Sequence, residues 1–446
     1  MRNLALLACF GLSLAAGPAQ TEPGDLLAET VTTAARDCPS GWIEEMPLIA
    51  WGADGVVAWA NGASLSNDGG ALGSAGLPLE LSVEDEFAAQ LEAYLTCETP
   101  YLRGTLGMLA AAEPVTQADA RTEQIVFFKH SFSAGDGIVG GEGIAQIGDL
   151  AGQRVAIQAN GPHVDFVGRI LADGGLSFAD VEIVWTADLT GDGDTPAAAM
   201  AEGRADAAAV ILPDARFLTS GGTVGTGAEG SVRGAQILIS TQEAASVIGD
   251  YIAVRADYFD ANRDDIAQMV NLLFQAEEEM RQFMAQDGDP RQAQMADLMA
   301  DAFLGGLPRE EGVFLWQDAI TDGWAGNAAH FADPSEPRRF EVLLEEVNVA
   351  LRGADRRSAP ANLAGAEWDF AALSQGLQNL DARQIAAVDP EAAATAVRTL
   401  RRTGQLDAAT RIDFEVYFDP DSTDFPIALY EADFEEILRL ASTYSG

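Results

Sequence analysis

"GQRVAIQANGPHVDFVGRIL", residues 152–171, decides the fold. It runs from an apolar strand pattern through Asn160-Gly161-Pro162 into an apolar helical pattern, so a strand turns sharply into a helix. The same alternation repeats on both sides of it. "MPLIAW" is followed by "DGVVAWANG", and "VEIVWT" by "PAAAMAEGRA", while "QIVFFKH", "DAAAVIL" and "AQILIST" read as further strands. Strands alternating with helices predict an α/β protein built from parallel strands and crossover helices. From about residue 263 the pattern becomes helical. Ile266, Met269, Val270, Leu273, Phe274, Met280, Phe283 and Met284 form a stripe that reads as core, and helical stretches continue to about residue 352.

The two ends read differently. "MRNLALLACFGLSLAAGPAQ" has one Arg, an apolar run and then small residues, the pattern of a secretory signal peptide covering residues 1–19. The mature chain is therefore expected outside the cytoplasm. At the other end, "GADRRSAPANLAG" reads as the start of a linker over 353–405, with short helices in "EWDFAALSQGL" and "PEAAATAVRTLRRTG". After it, Ile412, Phe414, Val416 and Phe418 alternate as a strand, and Ile427, Tyr430, Phe434, Ile437, Leu438 and Ala441 mark an amphipathic helix. One strand and one helix do not make a stable domain by themselves.

Charge is the compositional outlier: 69 acidic residues against 26 basic ones give a formal net charge of −43 over 446 residues. Such a surface repels nucleic acid and anionic lipid, which excludes both as partners. With 48% hydrophobic residues the chain has ample material for cores. Two cysteines, Cys38 and Cys97, follow the leader, and an oxidising compartment favours a disulfide between them over two buried thiols. Three histidines without CxxC or HExxH give no zinc site, and no cofactor is implied. "GTGAEG", residues 225–230, satisfies G-x-G-x-x-G but is followed by a strand, so no helix N-terminus is there for a pyrophosphate. "DLTGDG", residues 188–193, opens like a calcium loop, yet its twelfth position is Ala199.

"IGDLAGQRVAI", "GPHVDFVGRILADGGLSFADVEIVW" and "AAAMAEGRADAAAVILPDA" together resemble the second lobe of periplasmic solute-binding proteins of the nitrate, taurine and sulfonate type, which also include thiamine-precursor-binding relatives. "PLIAWGADGVVAWANGA" is similar to that family's first strand and helix, and "DYIAVRADYFDANRDDIAQMVNLLFQA" to its return into the first lobe. The tail "RIDFEVYFDPDSTDFPIALYEADFEEILRLAS" resembles the opening of an OmpA-like peptidoglycan-binding domain over 408–446. The first resemblance implies a two-lobed fold over residues 38–350, with lobe I at 40–132 and 255–350 and lobe II at 138–248. Two crossovers, near "FSAGDGIVG" and "SVIGDYIAV", would join the lobes. It implies a non-enzymatic function: capture of a small polar or anionic solute in the periplasm and delivery to the permease of an ABC importer. An envelope sensor positioned by the tail, with peptidoglycan as partner if that domain continues, is the alternative. A thiamine-precursor-related enzyme is the third.

Ligands of open α/β sheets sit beyond the carboxyl ends of strands, beside helix N-termini. Asn160, Gly161 and His163 would there present backbone donors to a ligand's polar or anionic end, or merely turn the chain. Trp51 would supply a flat wall or sit in the core, and Ser131 and Ser133 would donate hydroxyls or cap a turn. Lys129, the single lysine, would bring its ammonium to the edge of the ligand cleft at a strand end or be an incidental exposed lysine. Asp188 and Asp214 would favour a cationic group on the ligand, against an anion-only reading.

Overall fold

The computed structural model describes residues 24–38, 45–66, 69–77, 79–191, 193–228 and 230–380, together with Arg439 and Thr443. The leader, the second of the short helices expected after residue 353 and all but two residues of the OmpA-like stretch lie outside the described residues.

The chain builds two five-stranded sheets in succession and returns to the first. It opens with β1 (Glu45–Leu48), helix α1 (Gly55–Ala60) and β2 (Glu80–Val83), with β1 and β2 paired in parallel from Glu45 opposite Glu80 to Leu48 opposite Val83. Helix α2 (Phe87–Thr96) ends where Cys97 takes a left-handed conformation at φ 70°, and Cys97 is bonded to Cys38. Next come β3 (Tyr101–Thr105) and helix α3 (Leu106–Thr116), whose first turn is capped by the Thr105 side chain accepting from the Met108 N–H. Strand β4 (Gln124–Ser133) then runs almost wholly buried through the first sheet.

Two residues later β5 (Asp136–Gly140) starts the second sheet. The stretch that opened the sequence reading is β6 (Arg154–Gln158) followed by helix α4 (His163–Asp173). Then come β7 (Glu182–Thr186), helix α5 (Pro196–Ala201), β8 (Ala207–Ile211), helix α6 (Leu212–Leu218) and β9 (Gln236–Ser240). The sheet order is β7-β6-β8-β5-β9, with β6 parallel to β7 and β8, and β5 antiparallel to β8 and β9. Strand β10 (Gly249–Arg255) brings the chain back, antiparallel between β3 and β4. The result is the mixed α/β, two-lobed arrangement with two crossovers, β4 to β5 and β9 to β10.

Helix α7 (Ala256–Met284) buries the stripe read from the sequence, Ile266 through Met284, against the first sheet, with one break at Asn262. Three features differ from the expectation. The large sheet of the first lobe is mainly antiparallel, because the two long crossing strands β4 and β10 dominate it. A short strand β11 (Ala319–Thr321) interrupts the helical region and pairs with β4 at Ser131–Ser133. The stretch expected as the start of a linker is part of the fold: β12 (Ala364–Gly365) pairs with β4, and Trp368 Nε1 donates to Phe127 O at 2.8 Å. "EWDFAALSQGL" contributes only the single turn Phe370–Leu373.

The lobes share apolar core. Helix α8 (Phe340–Gly353) lies against both α3 of the first lobe and α4 of the second, and its Phe340, Leu343, Val347 and Leu351 join Leu106 and Leu109 to Val164, Val167 and Ile170. After it two consecutive arginines hold different lobes. Arg356 donates to Asn160 Oδ1 at 2.6 Å in the second, while Arg357 pairs with Glu113 and reaches Ala110 O in the first. Thr443 and Arg439 hydrogen-bond Arg169 and Asp173 of α4.

A candidate ligand site at the junction of the two sheets

Strand β4 leaves one sheet and β5 enters the other through Ala134 and Gly135 alone. Trp51, after β1, covers this step so closely that a Cβ on Gly135 would lie 3.0 Å from its ring. The Trp51 indole Nε1 donates to Ser131 Oγ at 3.0 Å, and Ser131 donates to Asp250 Oδ2 at 3.3 Å. Asp250 accepts in turn from Arg103 Nη1 at 3.0 Å. Arg103 also grips Asp54 with Nε and Nη2, at 3.0 and 2.6 Å. Arg103 and Asp54 are both 0% exposed, so this is an ion-pair triad taken wholly out of water. Burial pushes the Asp54 carboxyl up to about 6 while Arg103 pulls it back. Burial also works against the Arg103 charge, but Asp54 and Asp250 more than offset it and hold its pKa above the usual range.

A second string of polar groups starts one step along β4. Ser133 hydrogen-bonds Asp136, the first residue of β5, and Asp136 Oδ1 lies 2.8 Å from His163 Nε2 on the first turn of α4. The Asp136 backbone is fixed by Thr241, whose hydroxyl accepts from its N–H at 2.9 Å. Asp165, two residues beyond His163, reaches towards the other lobe: a Cβ on Gly107, in the first turn of α3, would come 2.4 Å from Asp165 Oδ1. Neither that oxygen nor His163 Nδ1 has a hydrogen-bond partner among the described residues, although His163 is 0% and Asp165 5% exposed. Burial raises the Asp165 carboxyl to about 7.

Of the residues singled out from sequence, the structure thus brings Trp51, Ser131, Ser133 and His163 to one junction. Gly161 is buried beside them in the turn before α4, where a Cβ would strike Gln158 Oε1. Asn160 faces elsewhere. With φ 58°, it accepts from Arg356 and donates to Asp25 O at 3.1 Å. Lys129 is 1% exposed and paired with Asp322, its ammonium 3.4 Å from the Phe132 ring centre, so its charge is used inside the first lobe. Asp188 and Asp214 are half-buried just past β7 and β8, and burial raises Asp214. The Asp188 charge reaches Glu86 of the first lobe, whose carboxyl burial and then Asp188 push upward.

Sequence reasoning missed Arg103, Asp54, Asp136, Asp165 and Asp250. Arg103 left one signal, a lone arginine inside the apolar strand run "YLRGTL", since a buried arginine requires buried partners. The aspartates left none among 69 acidic residues. No group of three or more His, Cys, Asp or Glu side chains among the described residues is arranged to hold a metal ion. No described helix is long and apolar enough to cross a membrane.

No protein-family model and no curated protein matches the chain. Solved structures do. The alkanesulfonate-binding protein SsuA from Xanthomonas axonopodis pv. citri, bound to MOPS, is 17% identical with a TM-score of 0.44, covering 64% of this chain and 86% of its own. The periplasmic aliphatic sulphonate binding protein SsuA from Escherichia coli is 16% identical with a TM-score of 0.47, covering 76% and 99%. The desulfurization enzyme DSZB is 15% identical with a TM-score of 0.45, covering 72% and 95%. Binding proteins and an enzyme thus stand side by side, and likenesses of this degree say nothing about what the present chain binds.

Proposed function

We propose that this chain is an exported solute-binding protein that takes a small polar solute at the junction of its two sheets and hands it to the permease of an ABC importer in the inner membrane. The observation that carries the reading is the convergence at the β4–β5 step. Strand ends and helix first turns of both lobes meet there, and His163 Nδ1 and Asp165 Oδ1 are buried without hydrogen-bond partners among the described residues. Buried polar atoms are normally hydrogen-bonded, so two orphans two residues apart on the first turn of α4 point to a group that completes them. The two-crossover topology supports the same reading, because hinging about two strands lets such lobes open and close on a solute. The sequence resemblance to periplasmic solute-binding proteins supports it as well, and supports the periplasm as the compartment. Native mass spectrometry of the folded protein from its own host tests it. The expected spectrum shows a small adduct that is lost on denaturation. A spectrum without adduct, together with no thermal shift across a broad metabolite set, overturns it.

A further inference from the structure

The charge at this junction is mostly negative. Asp136, Asp165 and Asp250 approach it from β5, α4 and β10, and the Asp136 charge bears on Asp250 while the Asp250 charge bears on Asp165. Asp318, before β11, feels Asp136 too. Further out, Glu86 of the first lobe meets the field of Asp188 of the second. Two arginines and a histidine stand near them. Arg103 is already shared between Asp54 and Asp250 deep in the first lobe, His163 leans on Asp136, and Arg216 offsets only Asp318 in part. Asp165 is the telling group, since its carboxylate lies against the first turn of α3, where the backbone donors of a helix would otherwise receive a ligand's anion. An anionic solute would have to displace that carboxylate and enter a field of like charge.

We propose that the solute is a small organic cation, an amine, amidine or quaternary ammonium, whose charge is received by Asp165 and Asp136 beside the Trp51 ring. The inference rests on the solute-binding reading and narrows it. A cation completes Asp165 Oδ1, a buried carboxylate oxygen without a hydrogen-bond partner among the described residues, and an aromatic wall suits a cation through its ring quadrupole. It also removes the like-charge repulsion that otherwise opposes closing the two lobes. A bare metal ion fits poorly, because no three His, Cys, Asp or Glu side chains among the described residues are arranged to hold one.

The full-length mature protein is tested by thermal shift and calorimetry with putrescine, agmatine and choline. Ethanesulfonate and nitrate serve as anionic probes and calcium chloride as a metal probe. At least one organic cation should raise the Tm, and its binding near pH 7 should release a fraction of a proton, seen as heat that varies with the buffer's protonation enthalpy. The release follows because a cation favours the ionised form of Asp165, which faces His163, Glu346 and Asp250. Asp165→Asn should weaken that cation at least tenfold and abolish the release. Far-UV circular dichroism of the variant, and retained folding cooperativity, separate lost binding from lost fold. An anion or calcium that raises the Tm while no organic cation does overturns the proposal and leaves solute binding standing. Proton uptake instead of release also overturns it. Should no probe and no member of a wider metabolite set bind, the solute-binding reading falls and this proposal falls with it.

Discussion

Arg103 and Asp165 are both ionisable side chains withdrawn from water within the same junction, yet their surroundings differ. Around Arg103 the hydrogen bonding is complete in every direction that matters: two carboxylates, then Ser131, then the Trp51 indole. Around Asp165 one oxygen has no hydrogen-bond partner among the described residues. A buried charge whose partners are all in place serves to hold a fold in one register, and losing a partner is costly. A buried charge left incomplete raises the free energy of the folded state, and such a cost persists where something outside the chain can relieve it. On the solute-binding proposal, the difference assigns the first lobe's floor to the scaffold and the first turn of α4 to the solute.

The largest expected effect breaks the scaffold side. Arg103→Ala strands Asp54 and Asp250 without their cation and should cost roughly 3–5 kcal/mol. In urea titrations the variant should be unfolded or barely folded near neutral pH. Unchanged stability would show that the triad does not hold the lobe. Lys129→Ala belongs with it. Lys129 pairs with Asp322 inside the first lobe, so the variant should lose stability on the order of 3 kcal/mol while a bound solute's affinity per folded molecule stays the same.

Next in size is the Cys38–Cys97 bond, which joins positions 59 residues apart in the first lobe. Replacing both with Ser should cost about 2–4 kcal/mol, since the crosslink restricts the unfolded chain. Thiol titration of the unfolded, unreduced protein should find neither sulfur free.

Asp165→Asn is expected to act in the opposite direction. The folded-state pKa of Asp165 is raised to about 7, so in this group the native state binds a proton that the unfolded chain has given up. Its destabilisation is absent below the ordinary carboxyl pKa, near 4, grows as pH rises from there to about 7 and is complete above it. Relative to the parent, the Asn variant should therefore gain about 1 kcal/mol at pH 5 and on the order of 2–4 kcal/mol at pH 8, read from paired urea melts. An equal gap at both pH values would mean that Asp165 is not buried ionised in the folded protein.

How much of this was legible beforehand follows from the range of the interactions. The β6-to-α4 turn and the α7 stripe are set by local periodicity and could be read directly, whereas the two crossovers came only from the family resemblance. Strands β11 and β12, with three and two residues, are too short to show a period, and they exist because β4 offers them a partner. Lys129 illustrates the same limit. Its strand was read correctly, but its partner Asp322 comes 193 residues later, and nothing near Lys129 in sequence announces it. The site's carboxylates are single residues on separate elements, so only the folded sheets make them a group. The apolar run around Arg103 was the one sequence feature that pointed beyond its own strand.

The smallest effect sharpens the comparison, because Ser131 is the link between its two sides. Its hydroxyl accepts from Trp51 Nε1 and donates to Asp250 Oδ2, so Ser131→Ala deletes two neutral-donor bonds and leaves the half-buried indole N–H without its acceptor. Asp250 keeps Arg103, so no buried charge is stranded. The loss should be about 1–2 kcal/mol, well short of the Arg103 variant. The same deletion frees the Trp51 ring over Gly135, and if that ring forms one wall of the solute site, affinity should fall by about tenfold alongside the small loss of stability. Measuring both on one preparation distinguishes the roles. A stability loss with unchanged affinity would place Trp51 wholly with the scaffold and move the solute towards α4 alone.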